Sequence, residues 1–484
     1  MTRPLAQHLV PQLRWDPGYG FDHLQELIGE ALEAGVGGFH LVGGTRAEVR
    51  ALAQELHRRT RVPLLLAAEV DGGVASAVHD ATALPPLGAL AALRDSDVIR
   101  RAARLVAREL STLGLNWALG PVADLDREPA NPLLGARGLG ADAQRAAEWA
   151  VEWIDTCQAE GVLACARHFP GMGRITADPH LEPVAIDADA RTLWGDDLLP
   201  FRGAADTGVA SMMAASVAYP RLDATGRPAA RSRPMLTELL RGELRYDGLI
   251  VSDALGAPGL RAGDDEGLAA IEALGAGCDL LLAPDDLHGV LELLERAQAA
   301  GMFDEAALEA SRARHRFWAQ WAAPGPVREP TLDEVLWSRQ VADTLVHAVR
   351  GVFANVGPVV DVIQVDDEAG HRWPVPARTH LTDALRALGL APRLVEGPTD
   401  EGQGAVLVAL YGEPGPGKGR AGYQVATRRR VAQLVADARQ ARRSVVVAMF
   451  APPRFAAEIP EAANVICGWS AAKGMQEATA RRLA

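Results

Sequence analysis

Five ionisable residues lie in the segment ARHFPGMGRITADPH (166–180), four of them in two close pairs: Arg167 and His168 close an apolar run, and Asp178 and His180 follow in the loop beyond it, after Arg174. A histidine titrates near neutral pH, so it can donate a proton and recover it within one turnover. A carboxylate two residues away can orient the ring and stabilise the imidazolium, and Pro179 between them stiffens the pair; a solvated loop histidine fits the same pattern. Cations at a strand end can bind sugar hydroxyls, phosphate or carboxylate, or form a surface ion pair. Asp253 ends a second buried run, YDGLIVSDALGA (246–257). A carboxylate at a strand tip can act as nucleophile, base or metal ligand, or can cap the following helix. A further candidate, AVLVALYGEPGPGKG (405–419), approaches a phosphate loop. It has Gly419 where such a loop needs Ser or Thr, and Pro414 and Pro416 remove backbone donors, so a Gly/Pro turn is the better reading.

These residues need elements to hold them. The apolar runs HLVPQL, GVGGFHLVG, VPLLLAAEV, LNWALGPVADL, GVLACARHF, VASMMAASVAY, GLIVSDAL and CDLLLAP alternate with amphipathic stretches such as Trp149, Trp153, Ile154 and Cys157. Runs apolar on both faces suit parallel strands covered by helices, and the alternation suggests a (β/α)8 barrel, with a doubly wound sheet as the other solution. A barrel places its active groups at the C-terminal strand ends. Glu69 and Asp71, Asp124, Arg167 and His168, and Asp253 all fall there, whereas Asp279 opens the last run and reads as structural. The Pro-rich stretch 324–331 marks a linker between a barrel (1–323) and a smaller three-layer α/β/α domain (332–484), which opens with the helical pattern LDEVLWSRQVADTLVHAVRG.

The chain has 484 residues, enough for two domains, and a net charge of −13 with only short basic runs, which disfavours nucleic acid as a partner. Its four cysteines have neither metal-site nor disulfide spacing. The residues after Met1 lack the apolar centre of a secretion signal, and no stretch approaches membrane-spanning length, so a cytoplasmic protein with no membrane partner is expected. Oligomeric state is not legible.

Taken together, the segments resemble family 3 glycoside hydrolases, specifically the β-N-acetylglucosaminidase branch of bacterial cell-wall recycling. That branch carries Lys-His-Phe-Pro-Gly-His-Gly-Asp-Thr and then Asp-Ser-His where this chain has RHFPGMGRITADPH; its nucleophile strand reads GLIVSDAL here, and its Asn-Pro-x-x-Gly-x-Arg segment reads NPLLGARGLG. The resemblance implies a retaining mechanism on terminal β-linked sugars, foremost N-acetyl-β-D-glucosaminides. Asp253 would be the nucleophile, His180 with Asp178 the acid/base pair, and Glu69, Arg137, Arg167 and His168 the sugar contacts. It implies no metal or organic cofactor and a small carbohydrate or muropeptide-type glycoside as substrate. The chain departs from the family at Glu69 (for Asp), Val74 and Ala77 (for two Arg), Arg167 (for Lys), Met172 (for His), Arg174 (for Asp) and Pro179 (for Ser). Those changes leave open a glycan-binding relative without turnover, or β-glucosidase-type or phosphorolytic specificity.

Overall fold

The computed structural model describes residues 3–60, 62–323, 325, 327–351, 355–367, 376–398 and 404–484, so Pro324 and Pro326 of the expected linker lie outside the described residues. Every apolar run of the first three hundred residues becomes a strand: β1 (Leu9–Val10), β2 (Gln12–Arg14), β3 (Gly38–Val42), β4 (Leu65–Glu69), β5 (Trp117–Leu119), β6 (Leu163–Phe169), β7 (Val184–Ala185), β8 (Ser211–Ala214), β9 (Val217–Ala218), β10 (Leu249–Ala254) and β11 (Leu280–Leu282). β7 and β9 form a separate ribbon; the others follow the order β1-β11-β10-β8-β6-β5-β4-β3-β2, all parallel. This order begins and ends on one stretch of chain. Pro11, which has no N–H to give, divides that stretch: β1 pairs with β11 and β2 with β3, so the ring closes as an eight-position barrel.

Helices between the strands start where a side chain can accept the free N–H groups of the first turn. Thr45 and Glu48 form a reciprocal capping box on Arg46–Arg59, and Asp142, Asp265 and Asp304 cap Ala143–Ala159, Glu266–Ala276 and Glu305–Trp321. The last of these also closes the N-terminal end of the ring, where Ala319 and Ala322 join the interior cluster and Asn116 Nδ2 donates to the Ala322 carbonyl at 3.1 Å. No described helix is long and apolar enough to cross a membrane.

Strand periodicity decides what faces the interior. Val10, Leu65, Ala67, Leu163, Cys165, Leu249 and Val251 share one buried cluster inside the ring. Stepping two residues further along each strand reaches Gln12 and Arg14, Glu69, Arg167 and Asp253, so the inward rows change from apolar to ionisable toward the C-terminal end. Asp279, at the other end, is buried and accepts from the Ile250 N–H at 2.7 Å, Arg241 at 2.6 Å and Arg314 at 2.7 Å, a structural pin as its position suggests.

The second sheet comprises β12 (His347–Arg350), β13 (Val359–Asp366), β14 (Ala391–Leu394), β15 (Ala405–Tyr411), β16 (Val445–Phe450) and β17 (Val465–Cys467), in the order β12-β17-β16-β15-β13-β14. One expectation is corrected here. The helical pattern from 332 ends at Leu345, and His347–Arg350 is an antiparallel edge strand on β17. The Leu345 carbonyl, at the helix end, is taken by Trp469 Nε1 at 3.2 Å, and pairing with β17 overrides local propensity.

The chain divides into two compact units that are not two successive halves: 83–94 and 128–137 group with 332–484, and the remainder to 331 forms the barrel unit. Within the second unit those two short segments bond to each other (Gly88 N–H to the Ala136 carbonyl, 2.8 Å), Gly135 packs on Pro414, and Ala83 on Gly474. The linear boundary at 324–331 is thus only one of several places where the chain passes between units. The glycine loop of the second unit folds inward on itself: Lys418 is buried, donates to its own Gly412 carbonyl at 2.6 Å and pairs with Asp367 at 3.4 Å.

Candidate active site

The barrel's C-terminal rim collects Asp253, His180, Asp178, Glu69, Arg167 and His168 within one unit; Arg137 lies in segment 128–137 of the other unit. Asp253 ends β10, 8% exposed, accepting from the Ser216 hydroxyl at 2.7 Å and from the Ala254 N–H at 2.8 Å. It caps no helix: the next one starts at Pro258 behind Ala257. Burial pushes its carboxyl up, but His168, His180, Ser216 and the Ala254 amide together hold it below the usual aspartate value. The two imidazoles are therefore electrostatic neighbours of this carboxylate.

His180 stands in the loop after β6. Its Nδ1 lies 2.8 Å from Asp178 Oδ1, which also accepts the His180 backbone N–H at 2.9 Å. A buried carboxylate at Nδ1 fixes the proton there and directs proton exchange to Nε2. The loop is tied to the segment beyond Asp253: the Pro179 carbonyl accepts the Gly259 N–H at 2.7 Å, and a Cβ on Gly259 would lie 2.7 Å from Pro179 Cβ and 2.8 Å from the Ser216 carbonyl. Only glycine allows this approach.

His168 is built likewise. Asp124, fully buried, accepts His168 Nδ1 at 2.7 Å, the His168 N–H at 3.2 Å and the Met172 N–H at 2.7 Å, which turns Nε2 away from it. Arg167 is buried with Nη1 3.2 Å from Glu69 Oε1 and Nη2 bonded to Asp71 Oδ1. Burial works against its charge, yet Asp71 and Glu69 outweigh it and hold the guanidinium protonated. Asp71 and Asp124 are thus carboxylates that fix Arg167 and His168.

Three of the seven positions that depart from the family pattern are packed away. Val74 and Ala77 are buried in the turn after β4, and Met172 is buried with its N–H bonded to Asp124. Arg174 binds Asp196 at 2.7 Å and Asp197 at 2.8 Å, so its charge is committed to an ion network with Arg127. An open pocket lined by Arg174, Ile186, Asp187, Asp189, Thr192 and Arg221 adjoins β7, a few residues beyond His180. Sequence reasoning missed Ser216, which bonds Asp253, and did not single out Arg14 and His40, which share the inward phase of β2 and β3. Ser216 lies outside any ionisable pattern, Arg14 falls one residue past the run HLVPQL, and a histidine inside GVGGFHLVG reads as core.

Residues 25–315 match the model of the glycosyl hydrolase family 3 N-terminal domain. A β-N-acetylglucosaminidase/β-glucosidase of Cellulomonas fimi is 33% identical over 338 residues, 65% of this chain, and the match spans 59% of that protein. A β-hexosaminidase of Bordetella avium (strain 197N) is 35% identical over 262 residues, 52% of this chain and 73% of its own length. Among solved structures, a family 3 β-N-acetylglucosaminidase from Paenibacillus sp. str. FPU-7 superposes with a TM-score of 0.84 at 24% identity, covering 100% of this chain and 96% of that one, a likeness of fold. With the rim carboxylates, the barrel and the matched domain all in hand, the chain belongs to glycosyl hydrolase family 3.

Proposed function

We propose that this protein hydrolyses terminal β-linked sugars, N-acetyl-β-D-glucosaminides first among them, with retention of configuration. The observation that carries the reading is the convergence of a buried, ionised Asp253 with two carboxylate-oriented histidines. Asp253 attacks the anomeric carbon as His180 in its imidazolium form, its Nδ1–H held by Asp178, gives its Nε2 proton to the departing glycosidic oxygen. The C–O bond breaks, its electron pair stays on the leaving oxygen, and a glycosyl ester forms on Asp253. His180, now neutral, takes a proton from water, whose oxygen displaces the ester and returns the carboxylate. Asp178 steadies the transient imidazolium; an imidazole acid also avoids setting two carboxylates against each other. Arg167, His168 and Glu69 hold the ring hydroxyls. The role of Arg137 rests on the resemblance alone, as do a muropeptide-type substrate and a cytoplasmic location.

Burial of Val74 and Ala77 where the family has arginines favours a second reading, a sugar binder with little turnover. One experiment separates the two. A 2-fluoro glycosyl donor should add covalently to the wild type, with peptide mass spectrometry finding the label on Asp253, and Asp253→Ala should remain unlabelled. No label, no nitrophenol release from any β-glycoside and retained sugar binding would establish the binder. Replacing water with phosphate as acceptor in the same assay tests phosphorolysis.

A further inference from the structure

A row of polar groups on β2 and β3 has no part in the chemistry above. Arg14 Nη2 donates to Gln12 Oε1 at 3.0 Å, which fixes the Gln12 amide so that its Nε2 faces His40 Nδ1 at 3.2 Å. His40 Nδ1 therefore accepts, and the ring proton sits on Nε2. That Nε2 is buried, with no hydrogen-bond partner, in a side chain 4% exposed. Its charged neighbours are Glu69, Arg167 and Arg14.

Register places these groups inside the ring. Gln12 pairs with His40 and His40 with Ala67, a member of the interior cluster, so Gln12, Arg14 and His40 share the inward phase that leads to Glu69. Strand order then supplies a symmetry. Counting β1 and β2 as one position, β4 lies opposite β10, and β2 and β6 lie two places to either side of β4. Glu69 therefore faces Asp253 across the mouth, flanked by Arg167 on one side and Arg14 on the other. A ring whose anomeric carbon meets Asp253 turns its far edge toward Glu69 and must pass between these two cations. His40 Nε2 is covered from solvent, so on that wall the group that reaches the mouth is Arg14, held in place by the Gln12–His40 pair behind it.

We propose that Arg14, braced by His40 through Gln12, forms a second arm of sugar recognition that donates a hydrogen bond to a hydroxyl oxygen on the edge of the pyranose remote from the anomeric carbon. This rests on the barrel mouth being the sugar site. It supplies a cation on a strand where the turn after β4 has none at Val74 and Ala77.

The test uses Arg14→Met and Arg14→Lys in the full chain, assayed on 4-nitrophenyl β-N-acetylglucosaminide and its 3-, 4- and 6-deoxy analogues. Arg14→Met should lower kcat/KM by about tenfold to a hundredfold on the parent sugar, with the Lys variant recovering part. On one deoxy analogue the penalty should vanish, because the oxygen that Arg14 touches is already gone; a purely structural role would penalise all four sugars alike. Uniform losses, or kcat/KM within twofold of wild type, overturn the proposal. If the wild type turns over none of these substrates, the same proteins are titrated calorimetrically with N-acetylglucosamine and glucose. A Kd about tenfold weaker in Arg14→Met then upholds the arm while hydrolysis fails, and an unchanged Kd, or no sugar binding by the wild type, overturns it.

Discussion

Asp253 is held ionised by neighbours that oppose its burial, and each neighbour can be removed singly. Its folded value lies below the ordinary one, so loss of charge on this proposed nucleophile should set the acid limb of kcat/KM below the usual aspartate value of about 3.9. Ser216→Ala deletes a donor to the charged form, and the acid limb should move to higher pH, as measured on a fast substrate. His180→Ala should show a different signature: a loss of about a hundredfold or more on alkyl glycosides, which need protonation of the leaving oxygen, and a much smaller one on dinitrophenyl glycosides, which do not. Asp253, Arg167 and His168 were legible because ionisable residues at the ends of apolar runs contradict the run they terminate, and Asp178 and His180 because a carboxylate and a histidine flank one proline in the loop beyond. Arg14 and His40 were not, since β2 is short and follows a proline, and His40 lies within its run. Their meaning depends on register with β4, which only the folded sheet supplies.

Among elements, the loop carrying His180 depends on its contact with the turn beyond β10. Gly259→Ala puts a methyl group within 2.7 Å of both the Pro179 carbonyl and its Cβ, so the loop must retreat. Displacement of an acid/base group by about 1 Å costs about a hundredfold. We expect kcat to fall by that order with KM little changed and Tm lowered by the clash with the two buried carbonyls, and steady-state kinetics at a temperature well below the lowered Tm separates the two effects. All the barrel runs were recognisable as strands from apolarity on both faces, and the capping aspartates mark the helix starts. The strand at His347–Arg350 was hidden because a helical period runs into it, and the decision belongs to β17, over a hundred residues away.

For the molecule as a whole, buried histidines set how acid affects stability. Burial lowers His40 and His315 to about 4; His315 sits between Gln7 and the Gly37 carbonyl. Both remain neutral in the fold down to that pH, whereas in the unfolded chain they take up protons below about 6.5. The unfolded state then binds more protons, so stability falls as pH drops from 6.5 toward 4. Between pH 7 and 5 each histidine should account for about 2 kcal/mol. Urea unfolding of His315→Gln should show a flatter dependence over that range than the wild type. Domain organisation was less legible than the barrel: a proline-rich break is visible in composition, but the regrouping of 83–94 and 128–137 with 332–484 comes from contacts that no local pattern announces.

The division of the first strand at Pro11 has a consequence for how the chain is made. Leu9 pairs with Leu281 and Gln12 with His40, so a nascent chain can zip β2 onto β3 early but must leave β1 waiting until the last staves leave the ribosome. Closure is the long-range, entropically slow event of assembly, and until it happens two open sheet margins are available to other chains. A residue that cannot donate to a ladder, placed where those margins meet, makes the unfinished barrel a poor template for a stranger's strand.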